Sequence, residues 1–151
     1  MANRERAQQV ADAVGRVMYE KDHCSQAMGI TLDDIGPGYA RMSMTLRGDM
    51  VNGHGTAHGG MIFTLADATF AYACNSHNHI AVAASCDIVF PAAGKLGDRL
   101  TAIAEERHVR GRNGVYDVTV TNQNGEVIAM FRGHSRRLQG HVVPELEFDH
   151  V

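Results

Sequence analysis

The stretch NGHGTAHGGMIFTLADATFAYACNS, Asn52 to Ser76, decides how this chain folds. It passes from a loop rich in glycine and histidine into a long apolar segment that holds a single acid, Asp67. From about His58 to Asn75 the run is long enough, and rich enough in Ala, Leu and Met, to be a helix rather than a strand. A helix apolar on nearly every side must be wrapped on most of them. An unpaired carboxylate inside such a helix is costly to take out of water. Asp67 is therefore either tied to backbone N–H groups or a histidine, or kept for chemistry. Its isolation among Phe63, Leu65, Ala66, Ala68, Phe70 and Ala71 favours chemistry.

Strand patterns flank the helix. Before it, MGITLDDI reads as a strand, Gly36 to Gly38 as a turn, and YARMSMTL as a half-buried strand. In the last of these Ala40, Met42, Met44 and Leu46 alternate with Arg41, Ser43 and Thr45. After the helix come IAVAASCDIVF, DRLTAIAEERHVR, GVYDVTVTN and EVIAMFRGHSRR, four strands joined by turns. RGRNG and the Asn124-Gly125 pair mark hairpins. Hairpin-linked strands are antiparallel. The expected architecture is α+β, one curved antiparallel sheet around a long central helix.

With 151 residues, 44% hydrophobic and 21% charged, the chain reads as one globular domain covering 1–151. An amphipathic helix at about 4–22 precedes a core at about 28–137 and a tail at 138–151. A net charge of −3 without a dense basic block excludes a nucleic-acid footprint. No run has signal-peptide or membrane-span character, so no membrane partner is expected and the cytoplasm is the expected location. Cys24, Cys74 and Cys86 are odd in number and unpaired in spacing, and read as buried small apolar residues, with Ala83 to Asp87 in the core. Among nine histidines no set has metal-ligand spacing: glycines separate His54 from His58, and His77, His79, His141 and His150 read as surface or tail residues. No metal or cofactor is expected.

The helix is entered through AHGGM. Helix N-termini carry N–H groups without intrahelical acceptors and the positive end of the macrodipole. Gly59 and Gly60 remove the side chains that would hold a ligand away, or simply allow close packing. Such a start suits an anion, or a carbonyl oxygen becoming one during acyl transfer. Asp67 lies eight residues beyond Gly59, ~12 Å along the axis. One small reacting group cannot touch both within one helix. Two copies of the helix, antiparallel and side by side in a two-fold dimer, would bring Gly59 of one near Asp67 of the other.

At these residues the sequence resembles the hotdog-fold thioesterases, in the phenylacetate-degradation (PaaI-type) branch. The shared pattern Asn-x5-His-Gly-Gly-x6-Asp stands here as Asn52, His58, Gly59, Gly60 and Asp67, with TLADATFAYACNS, GVYDVTVTNQ and FRGHSRR agreeing around it. The resemblance spans about Met28 to Arg137. It implies a dimer at minimum, commonly a homotetramer, that hydrolyses acyl-CoA, in this branch phenylacetyl- or hydroxyphenylacetyl-CoA, without a cofactor. By position it implies Asp67 as nucleophile or general base and the Gly59 N–H as the group polarising the carbonyl. It gives Asn52 a part in placing water or carbonyl, with Gly60 and His58 beside the substrate. Relatives often carry Arg-Pro in the turn after the strand that follows the helix, whereas this chain reads VFPAAGKLGD. The candidates for the CoA phosphates are Lys95 and the set Arg132, His134, Arg136 and Arg137.

Two other readings compete. A hotdog dehydratase would pair His58 with Asp67 across a dimer, and a non-catalytic acyl-CoA-binding module would need no carboxylate at the thioester. Asn52 and the Gly-Gly entry favour hydrolysis over the first, and Asp67 speaks against the second.

Overall fold

The computed structural model describes residues 2–146. Its strands are β1 (Thr31–Gly36), β2 (Tyr39–Thr45), β3 (Ala81–Val89), β4 (Arg99–Arg110), β5 (Asn113–Thr121) and β6 (Val127–Arg137). Helices α1 (Ala2–Lys21) and α2 (His23–Ala27) precede β1, and α3 (Gly59–Asn75) separates β2 from β3. All six strands join one antiparallel sheet in the order β1-β2-β4-β5-β6-β3, with α3 against one face. None of the described helices is long and apolar enough to cross a membrane.

Alternation places the β2 side chains as its sequence implies. Ala40, Met42, Met44 and, just past the strand, Leu46 are all buried towards α3. Two strands on, Tyr116, Val118 and Val120 of β5 do the same. Phe70 stands at the middle of the core. Its ring lies 5.6 Å from that of Tyr116 and 5.7 Å from that of Phe131, and Phe63 meets Phe131 edge-on at 5.5 Å. Such tilted contacts suit the ring quadrupoles. The space for Phe70 comes from Gly133 of β6: a Cβ there would fall 2.7 Å from the ring.

Three polar residues tie down the C-terminal end of α3. Asn75 donates to Ala81 O at 3.1 Å and accepts from Ala81 N at 3.0 Å, which fixes the start of β3. Ser76 Oγ accepts from Gly38 N at 2.7 Å, fixing the β1–β2 turn. Asn78, fully buried at φ 70°, donates to Val143 O and accepts from Val143 N, which docks the tail. Helix α1 packs through Ala11, Val14 and Gly15 against Leu32 and Ile35 of β1. Tyr72 of α3 donates to Asp22 just beyond α1. The described part of the tail and α1 are thus fastened at β1 and the C-terminal half of α3.

Several expectations are corrected. Strand β3 is not joined to β4 by a hairpin. It pairs with β6 at the far edge of the sheet, and the chain returns across the sheet from Phe90 to Asp98. Ala83 to Ser85 are consequently exposed rather than core. Of the cysteines only Cys74 is buried, Cys86 is half-buried and Cys24 is exposed. His77, His79 and His141 are half-buried rather than free surface. His77 Nε2 stands 2.8 Å from Glu106 Oε1, His141 Nδ1 stands 2.9 Å from Asn78 O, and the His79 and His141 rings lie 5.5 Å apart. Burial is the first reason the His79 imidazole is held below its usual value, with Arg137 next. His150 lies outside the described residues. Helix α2 had no sequence expectation; its start is capped by Asp22, which accepts from Ser25 N at 3.0 Å.

Gly133→Ala should destabilise the fold by about 1–3 kcal/mol, because the new methyl overlaps the Phe70 ring. Urea unfolding followed by tyrosine fluorescence measures this, and an unchanged midpoint would show that Phe70 can move aside.

Candidate active site

The site begins in the loop that enters α3. Val51 and Ala57 close it as an antiparallel bridge, and a second bridge joins Thr56 to Lys95 in the β3–β4 connection. Ala57 N donates to Gly94 O at 2.8 Å and Leu96 N to Gly55 O at 2.9 Å. Inside the loop, Asn52 Oδ1 accepts from His54 N at 2.9 Å and Thr56 N at 3.2 Å, while Asn52 N donates to Thr56 O. These bonds orient the amide: the oxygen holds the loop, and the NH2 group of this exposed residue has no bond among the described residues. Asx turns of this kind pre-form a backbone turn through the side chain.

His58 is the N-cap of α3, with φ −63° and ψ 135°, and its side chain caps nothing. Met61 N reaches His58 O at 3.0 Å, whereas the N–H groups of Gly59 and Gly60 donate to no group among the described residues. Both glycines are exposed. A Cβ on Gly60 would meet nothing within 4 Å, so tight packing does not explain that glycine. On Gly59 its nearest neighbour would be the Phe90 ring, at 3.1 Å from Cζ. The helix start is thus a bare pair of donors at the positive end of the dipole.

Asp67 is half-buried two turns further along. Its carboxylate makes no hydrogen bond or ion pair among the described residues, and burial alone pushes its pKa above the ordinary value. The backbone-tied alternative is therefore absent within the protomer. With Gly60, Thr64 and Ala71, Asp67 lies on a stripe of α3 spaced at helical intervals that the protomer leaves incompletely covered. The spacing and polarity of that stripe separate it from the face that carries Ile62, Leu65, Ala66 and Phe70 into the core.

The structure gathers Asn52, His58, Gly59, Gly60 and the Lys95 backbone at one end of the molecule. It does not bring the β6 set there. Gly133 and Phe131 point to α3, so Arg132, His134 and Arg136 face the other side of the sheet. Arg132 is also held by Asp117 through bonds of 2.7 and 2.9 Å, and this guanidinium holds the Asp117 carboxyl below its usual value. Arg137 is half-buried at the end of β6. Phe90, at the end of β3, is an addition to the site; the signal for it was an aromatic directly before Pro91.

A curved antiparallel sheet around one helix, with bare donors at its start and a lone carboxylate beyond, defines a hotdog-fold enzyme. The chain belongs to the thioesterase superfamily, whose sequence pattern matches residues 54–129. It is 46% identical to the acyl-coenzyme A thioesterase PaaI of Escherichia coli over 128 residues, 85% of this chain and 91% of that one. The solved structure of E. coli PaaI, from the phenylacetic acid degradation operon, superposes with a TM-score of 0.87 at 44% identity, covering 89% of this chain and 97% of that one. A Streptococcus mutans protein bound to acetyl CoA superposes with a TM-score of 0.71 at 28% identity, covering 74% of this chain and 90% of that one.

Asn52→Asp keeps the two loop acceptor bonds, whereas Asn52→Ala removes them. Thermal unfolding should therefore place the Asp variant near wild type and the Ala variant about 1 kcal/mol below it. Equal losses would mean that the amide NH2, not the oxygen, supports the loop.

Proposed function

We propose that the chain, as a single domain, hydrolyses acyl-CoA thioesters to free acid and CoA at a site completed by two copies of itself. The observation that carries this is the pairing of bare N–H groups at Gly59 and Gly60 with an unpaired, partly desolvated Asp67 too far along the helix to meet them. A thioester carbonyl on the glycine donors gains stabilisation as its oxygen becomes an oxyanion. The partner's Asp67 then acts on the carbonyl carbon, as nucleophile or by taking the proton of an attacking water. The C–S bond breaks and the thiolate of CoA leaves. The NH2 of Asn52 is a further donor to the carbonyl, and exposed His58 borders the substrate.

Two features support the dimer. Strand β3 is the last strand of the sheet, and beyond Ala81, which Asn75 holds, its outer edge pairs with no other strand among the described residues. The other feature is the open stripe of α3. An antiparallel copy of α3 on that stripe would cover it and place the glycine start beside the partner's Asp67. The assembly is a homodimer at minimum, with a homotetramer formed from two dimers. The name of the E. coli relative and the acetyl CoA of the S. mutans structure support the CoA thioester. The operon of the solved relative supports phenylacetyl- or hydroxyphenylacetyl-CoA as substrate, which sets the work in the cytoplasm. Lys95 is the cation nearest the entry loop for the CoA phosphates, with Arg132 already engaged by Asp117. A histidine–acid dehydratase would use His58 and Asp67 across the same dimer interface; the 46% identity to a named acyl-CoA thioesterase favours hydrolysis over it.

Asp67→Asn should fold normally and lose at least ~100-fold in thiol release from phenylacetyl-CoA; wild-type rates would remove Asp67 from the mechanism. The base must be ionised to act, and burial raises its pKa. The rate should therefore fall with decreasing pH already above the ordinary carboxylate range. If Asp67 attacks directly, departure of the thiolate leaves a mixed anhydride that water must open. Incorporation of oxygen-18 from water into the Asp67 carboxylate in a single turnover would mark direct attack with opening at the aspartyl carbon. Trapping of the anhydride by hydroxylamine would mark it where water opens the acyl carbon instead. Gly59→Val and Asp67→Asn chains, each inactive alone, should regain about a quarter of the native rate when refolded together, because half of the dimers are mixed and each holds one intact site. A mixture that stays inactive would mean that the site lies within one chain.

A further inference from the structure

Beside the glycine start lies a slot of about 390 Å³, lined by Ala57, Gly59, Ile62, Phe90, Pro91 and Ala92 among others. No charged side chain lines it. Phe90 is its one aromatic wall. The alternation Cys86, Ile88, Phe90 brings the ring to the α3 side of the sheet, and Pro91 restricts the Phe90 backbone to extended conformations. A Cβ on Gly59 would stand 3.1 Å from the ring tip, yet Phe90 is 46% exposed. A phenyl half out of the core, beside two free N–H donors, is a surface that an apolar chain attached to a carbonyl would cover.

A thioester has two such chains, the acyl group and the thiol arm. Thr56 and Gly94 also line the slot, and the next residue in the chain, exposed Lys95, bridges to Thr56 through its backbone. A carrier's thiol arm leads to phosphate and an acyl group does not, so a cation adjoining the lining favours the thiol arm. The acyl group is then left to the side of α3 that carries Asp67, a different face from that of Gly59 and Ile62.

We propose that Phe90 is a specificity-determining residue that packs against the uncharged thiol arm next to the sulfur, so that the enzyme reads the arm itself as well as what hangs from its end. This inference rests on the thioester reading above. The test uses ketone analogues in which a methylene separates sulfur from the carbonyl, so that nothing is hydrolysed. The carrier is cut from CoA to pantetheine to a methylthio group, and separately the acyl group is lengthened. Binding to wild type, Phe90→Ala and Phe90→Leu is measured by calorimetry, with thermal melts confirming that each variant is folded.

Phe90→Ala should weaken the CoA and pantetheine analogues by about fivefold to tenfold and leave the methylthio analogue unchanged, with Phe90→Leu restoring most of the loss. Equal loss with and without the arm would overturn the proposal, leaving Phe90 as a brace for the helix start. A loss that follows acyl length instead would assign the slot to the acyl group, and no loss at all would remove Phe90 from recognition. Thiol release by the wild type is measured in parallel on the true thioesters. Its absence would sink the hydrolase reading while the binding comparison still decides Phe90. Failure of every analogue to bind the wild type would overturn both.

Discussion

The apolar surface of α3 is the constraint around which the protomer is built. A helix of this composition cannot stand in water on its own, and all six strands and the first helix make contact with it. The wrapping is uneven along its length. At the C-terminal end Asn75, Ser76 and Asn78 bind the start of β3, the β1–β2 turn and the tail through their side chains, so three separate chain segments are referred to one point. At the N-terminal end two exposed glycines have their donors unmet. Order is concentrated at one end and unsatisfied polarity at the other.

That asymmetry separates stability from chemistry. Donors left to solvent and a partly desolvated carboxylate both lie at the glycine end or on the open stripe that leads from it. The carboxylate's burial is the unfavourable part, and the exposed donors cost nothing while water serves them. The loop before α3 is rigid for a related reason: Asn52 Oδ1 serves two backbone donors, and bridges to the β3–β4 connection hold the loop from outside. A surface loop built this way keeps the helix start open without relying on the helix itself. Preorganised donors need no rearrangement as charge develops on a carbonyl oxygen.

Much of this was legible in the sequence because it follows from periodicity. The α3 boundaries, the inward row Ala40, Met42, Met44 and Leu46, and the hairpins at Gly111 and Gly125 are local patterns. The partner of β3 is not local. Alternation cannot say which strand a segment will lie beside, although the long connection from Phe90 to Asp98 was too long for a tight hairpin and held the hint. The outward direction of Arg132, His134 and Arg136 was available from their alternation with Phe131, Gly133 and Ser135. The bond-free state of Asp67 was not, because whether a carboxylate finds a donor depends on elements distant in the chain. The polar ties at Asn75 and Asn78 were hidden likewise: an asparagine after a helix reads as a local cap, and here each reaches a separate segment.

The edge position of β3 has a consequence for handling the protein. Strand edges that stay free in solution are usually blunted with lysine, proline or repeated charge. Between Ala81 and Val89 this strand has only Asp87 and an irregular step near Ala83 and Ser85, and it exposes Val82 and Val89. A protomer kept apart from whatever covers that edge is a template onto which any extended chain can add. Dilution, mild denaturant and crowded expression then act on solubility before they act on folding, and precipitate would form from chains whose own sheet is still intact.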